Sequence, residues 1–130
     1  MILLDTHAAF WLESDATKLS RSAVAAIKEA RKAGTGLGIS DFTLLEPAIL
    51  VTKARIKLSV SLESFLQEIE KDFRIFPISS GACAMLASFP STFPNDPADR
   101  IITATALVAG LPLVKADRKT RESRIVKTIW

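Results

Sequence analysis

The sequence predicts an α/β fold: a central, mostly parallel sheet of four to five short strands, flanked by helices in three layers. Three observations carry that expectation. Short apolar runs alternate with longer stretches of helical rhythm along the whole chain. The short runs are apolar without a polar alternate, as in strands covered on both faces. Glycine closes two of the helical stretches, serine can cap another, and aspartate can open one of those that glycine closes. At 130 residues the chain has the length of one domain, so residues 1–130 are read as a single domain with room for a real core.

Ile2–Leu4 is the first buried strand, ended by Asp5. Ala8–Leu12 reads as a brief helical turn. Ser20–Ala33 spaces Ala23, Val24, Ile27 and Ala30 for a helix that Gly34 stops. Leu37–Ile39 is the second strand. Ser40 caps a helix running towards Arg55, and Pro47 within it removes a hydrogen bond and predicts a kink. Ser61–Asp72 is amphipathic, with Leu62, Phe65, Leu66 and Ile69 on one face. Arg74–Pro77 is strand three, Ser80–Ala87 a helix and PSTFPNDP a loop. Ala98–Ala109 is the longest apolar helix, closed by Gly110. Leu113–Val114 is strand four and Ile125–Ile129 the fifth.

Composition narrows the function classes. Apolar residues make up 48% and charges 24%, an ordinary globular balance, and the net charge of +3 suits a polyanionic partner without requiring one. A single cysteine, Cys83, allows no internal disulfide, and with His7 as the one histidine a zinc site is not expected. No apolar run reaches the ~20 residues of a membrane span. No signal peptide is read at the N-terminus, so the expected location is cytoplasmic.

The chemistry-bearing feature is a set of acids at the ends of core elements. In a parallel α/β sheet, ligands bind at the carboxyl ends of the strands. Asp5 follows strand one, Glu46 lies shortly after strand two, Asp99 heads the helix before strand four, and Asp117 follows strand four. Carboxylates gathered there repel one another unless a cation neutralises them. Mg²⁺ or Mn²⁺ is the natural choice, being hard and oxygen-seeking, and it would bring a phosphate with it. Structural roles compete with this reading. Asp96 before Pro97 has the pattern of an N-cap with proline at N1, and Asp99 would then stand at N3. Asp5 and Asp117 could serve strand-end turns, and Glu46 could be a solvated helix residue.

Other candidates are weaker. His7 could hydrogen-bond beside Asp5. Cys83, in GACAML, reads as a small apolar residue, and no phosphate-binding glycine loop is present. Lys53, Arg55 and Lys57 read as a solvated face. Lys115, Arg118, Lys119, Arg121, Arg124 and Lys127 lie beside Asp117, where cations could hold an RNA backbone.

Four segments, LLDTHAAFW, ISDFTLLEPA, DPADRIITATAL and LVKADRK, together resemble the PIN domain, and more narrowly the VapC toxins of toxin–antitoxin pairs. The resemblance spans essentially the whole chain. It implies a Mg²⁺- or Mn²⁺-dependent endoribonuclease that forms a homodimer and is inhibited by a VapB-type antitoxin. Carried over by motif, the acids are Asp5, Glu46, Asp99 and Asp117, with Asp96 an additional acid ahead of the third. Thr6 matches a small hydroxyl position near the metal. Thr6, Arg100, Lys115 and Arg118 are then the expected substrate-binding side chains. Two departures stand out. Pro47 follows the second acid directly, and Lys115 replaces the usual small polar residue before the last one. Lys115 could pair with a carboxylate and compete with the metal, or point to solvent. Two rival functions remain at this level: a nucleic-acid-binding module with an inactive site, and a nuclease acting on DNA.

Overall fold

Five strands and seven α-helices follow one another in the computed structural model, which describes residues 1–130. They are β1 (Ile2–Leu4), α1 (Thr6–Ser14), α2 (Arg21–Lys32), β2 (Leu37–Ser40), α3 (Asp41–Thr52), α4 (Leu62–Asp72), β3 (Arg74–Phe76), α5 (Ser80–Ala87), α6 (Pro97–Ala109), β4 (Leu113–Val114), α7 (Arg118–Ser123) and β5 (Thr128–Ile129). A 3₁₀ turn at Ala16–Lys18 links α1 to α2. The strands form one sheet in the order β3-β2-β1-β4-β5, with every pair parallel.

Side-chain alternation along β1 explains the layers. Successive strand residues point to opposite faces. Leu4 packs with Ala8, Ala23, Ile27 and Ile39 on one side of the sheet. Leu3 packs with Ala82, Ile101, Ile102 and Leu113 on the other. Both faces are therefore covered, which is why the strands read as unbroken apolar runs.

The chain fills one half of the sheet through β2 and β3, then returns through α5 and α6 to place β4 on the other side of β1. The direction of winding thus reverses between β1 and β4. At such a point the connections after the two strands diverge and leave a crevice at their carboxyl ends.

Several expected boundaries shift. The turn at Ala8–Leu12 is a nine-residue helix, because Asp5 caps it and so starts it at Thr6. Asp117, weighed as a strand-end turn residue, instead caps a short helix, α7, over Arg118–Ser123. The fifth strand is only Thr128–Ile129. The helix predicted from Ser40 to Arg55 ends at Thr52, and it runs unbroken across Pro47, which is buried inside it.

Gly38 in β2 is a packing requirement. A Cβ there would lie 2.6 Å from Phe76 Cε2 and 3.3 Å from Leu3 Cδ1. Gly38→Ala is expected to cost about 1–3 kcal/mol by overpacking, read as a lower urea midpoint, with the Phe76 ring giving way first.

Candidate active site

Helix starts build the site. Asp5, Asp96 and Asp117 are the N-caps of α1, α6 and α7. Their carboxylates accept from Ala8 N at 2.8 Å, Ala98 N at 2.8 Å and Thr120 N at 2.8 Å. Pro97 and Ala98 occupy the first two positions of α6, so Asp99 stands third, in its first turn. The capping reading and the site reading of these acids are therefore both satisfied. In each cap only one oxygen serves the helix.

Asp5, Asp96, Asp99 and Asp117 line one cleft of about 390 Å³ with His7, Trp11 and Lys115. It opens over the ends of β1 and β4, at the reversal of the sheet. Glu46 is not on its wall. It lines an adjoining groove of about 340 Å³ with Phe42, Ile49, Lys53 and Arg55, and Asp96 borders both. Thr6, between the cleft residues Asp5 and His7 in sequence, is the hydrogen-bond partner of Glu46. Its hydroxyl donates to Glu46 Oε1 at 2.6 Å and lies 3.1 Å from the Thr43 hydroxyl. With the Thr6 proton committed to Glu46, Thr43 is the donor to Thr6.

Burial pushes the Glu46 carboxyl above its ordinary 4.5, and the Thr6 bond and His7 only partly offset this. The folded state thus holds this proton more firmly than the unfolded chain does. That contribution favours folding below pH 4.5 and is lost as pH rises through the raised value. Thr6→Val removes a bond to the charged form. It is expected to raise the Glu46 pKa further, which a carboxyl-carbon NMR titration would register.

The substrate-binding set divides on inspection. Lys115 does not face outward. It is 3% exposed, and its Nζ donates to Asp99 Oδ1 at 2.6 Å and Asp5 Oδ2 at 3.1 Å. Burial is the largest influence on it and lowers its pKa, but the two carboxylates outweigh this and leave it above 10.5. Arg100 turns away from the cleft. It donates to the Phe93 and Pro94 carbonyls and to Asn95 Oδ1, and it packs over the Phe93 ring, so it braces the loop before α6. Arg118 is exposed and pairs with Glu122 one turn along α7. For Asp117, burial is the largest influence and raises the pKa, but the Thr120 bonds and nearby Lys115 and Lys119 together bring it below 3.8.

The donors present suit a hard divalent cation in kind. Asp99 Oδ2, Asp117 Oδ1, Asp96 Oδ2 and Glu46 Oε2 make no hydrogen bond. As folded, however, no three acidic or imidazole groups close into a ready ligand set. Where Asp5 and Asp99 converge, an ammonium stands between them.

Sequence reasoning missed Thr43 and α7. Thr43 left a weak trace, a polar residue one turn before Glu46 in an otherwise apolar helix. The pairing of Lys115 with a carboxylate was foreseen as one of two options, but not that it would bridge two.

The PIN domain family pattern matches residues 2–124. The chain is 36% identical to ribonuclease VapC22 of Mycobacterium tuberculosis, over 99% of this chain and 98% of that protein. Among solved structures, VapBC2 of Rickettsia felis, crystallised with a DNA fragment from its promoter, superposes with a TM-score of 0.75. Identity is 16%, and the match covers 98% of this chain and 97% of that one. A toxin–antitoxin complex of Klebsiella pneumoniae gives a TM-score of 0.68 at 23% identity, covering 100% and 97%. These two likenesses concern the fold. Family pattern and full-length identity agree: the chain belongs to the PIN-domain family, in its VapC group.

Proposed function

We propose that this chain is a divalent-metal-dependent endoribonuclease that hydrolyses RNA phosphodiester bonds at the acidic cleft and is neutralised by a VapB-type antitoxin. The observation that carries the reading is the 36% identity to a ribonuclease over nearly the whole of both chains. Acids converging on the reversal point of the sheet support it. Asp5, Asp99 and Asp117 are the proposed holders of Mg²⁺ or Mn²⁺, with Glu46 joining directly or through water and Asp96 beside them. When bound, such an ion neutralises the carboxylates and the scissile phosphate and acidifies a water molecule.

The chain's own residues do the rest. The helix caps fix three of the carboxylates, so little side-chain order is lost when substrate binds. Glu46, held by Thr6 in the groove beside the cleft, is the proposed proton acceptor for the attacking water, a role that needs it ionised and so fades on the acid side of its raised pKa. Lys119 and Arg118, exposed at the start of α7 just after Asp117, are the side chains proposed to meet the RNA backbone. The homodimer belongs to the same reading. Exposed Ile78, Met85 and Val108 offer apolar surface for it, and the solution mass of the purified chain checks it.

Cleavage of a mixed structured-RNA pool by the purified chain tests the proposal. It is run with Mn²⁺, with Mg²⁺ and with EDTA, beside Asp5→Asn. Cutting is expected with metal only, and in the wild type only. One observation favours the second reading, a binding module with an inactive site: the ammonium held between two of the acids. That reading predicts RNA retained in a gel shift, uncut, and indifferent to metal.

A further inference from the structure

Lys115 is the only buried lysine or arginine of the chain, and the proposed chemistry gives it no part. It directly follows β4, where its backbone N–H donates to Ile129 O at 3.3 Å and its side chain crosses to the end of β1. A buried ammonium is costly unless its charge and donors are matched. Here two carboxylates from two different elements match it.

We propose that Lys115 is a resident counter-cation of the cleft: its ammonium holds the place between Asp5 and Asp99, and a divalent ion shares those two carboxylates only by displacing it. The inference rests on reading the cleft as a divalent-cation site. Geometry supports displacement over coexistence. The two oxygens stand 2.6 and 3.1 Å from Nζ. Mg²⁺ binds oxygen at about 2.1 Å, so an ion in that place must draw the carboxylates inward and cannot share the space with the ammonium. Two like cations at that separation would also repel. The lysine stem is long and flexible, and the cleft beside it is open, so an exit path exists.

Two consequences follow. The cleft is assembled, and part of its negative charge is balanced, before any metal arrives. Uptake of metal is weakened by the work of evicting Lys115.

The test is calorimetric titration of MnCl₂ into the wild-type chain and into Lys115→Thr at neutral pH. The variant is expected to bind about tenfold tighter or more, within the range by which groups around a metal shift its affinity. A second measurement uses the wild type alone. Acetylation of Lys115 by an amine-reactive reagent, read by mass spectrometry, should rise severalfold at saturating Mn²⁺. Equal or weaker binding by the variant overturns the inference and leaves the metal reading intact. If Lys115→Thr does not fold, the labelling decides, and reactivity unchanged by saturating Mn²⁺ overturns it. No Mn²⁺ bound by either chain overturns the metal reading, and this inference with it. Tighter binding by the variant in a chain that cuts no RNA supports the inference and sinks only the ribonuclease reading.

Discussion

Asp5→Ala is expected to destabilise the chain by about 3–5 kcal/mol at neutral pH, with a fall in melting temperature of about 10–20 °C. Two losses combine. Asp5 is 2% exposed and is one of only two carboxylates that answer the buried Lys115 ammonium. It also caps α1 through Ala8 N, and α1 covers one face of the sheet. Alanine removes both contacts, and Asp99, which is partly exposed, is left as the sole partner of a buried charge. Asp5→Asn should cost less, because asparagine caps a helix as well as aspartate, although its one amide oxygen replaces the two carboxylate oxygens that serve Ala8 N and Lys115 separately. Pairing Asp5→Ala with Lys115→Met removes the stranded charge and should recover part of the loss. Urea titration of the single, the amide and the double variants reads all three. Equal stability of Asp5→Ala and wild type would mean that the buried pair contributes nothing.

RNA cleavage by Asp99→Asn is expected to fall about 10²-fold or more, while the melting temperature changes by only a few degrees. Asp99 is the acid with a free Oδ2 on the cleft and the shortest contact to Lys115. Its amide keeps an acceptor for the ammonium but halves the donor set offered to a hard cation. Its side chain is 24% exposed, so the folding cost stays below that of Asp5→Ala. Initial rates on a labelled RNA, beside thermal melts followed by circular dichroism, separate the two effects. Wild-type cutting by this variant would remove Asp99 from the chemistry.

Much of this arrangement was legible along the chain. The apolar strands and the capped helices carry local patterns, so the parallel sheet and the convergence of Asp5, Asp99 and Asp117 on its carboxyl edge followed from spacing. What escaped was set by contacts distant in sequence. The sequence leaves Lys115 open between a carboxylate partner and solvent, and only the fold brings Asp5, 110 positions away, to its Nζ beside Asp99. Arg100 looked available for substrate, but the loop just ahead of it turns back and supplies carbonyl acceptors. Pro47 argued for an interruption, yet α3 continues past it to Thr52 and Glu46 still meets Thr6.

The junction of β1 and β4 is only two residue pairs long, Leu3 with Leu113 and Leu4 with Val114. The Asp5 N–H donates to Val114 O at its open end, and the side-chain bridge from Lys115 lies just beyond. The bridge therefore works as a clasp on the seam between the two halves of the sheet. Opening that clasp should be felt by the Asp5 amide as faster exchange of its hydrogen with solvent, while the Leu4 amide one residue further in stays protected. Whatever enters or leaves the cleft would then be recorded in the exchange rate of a single backbone proton.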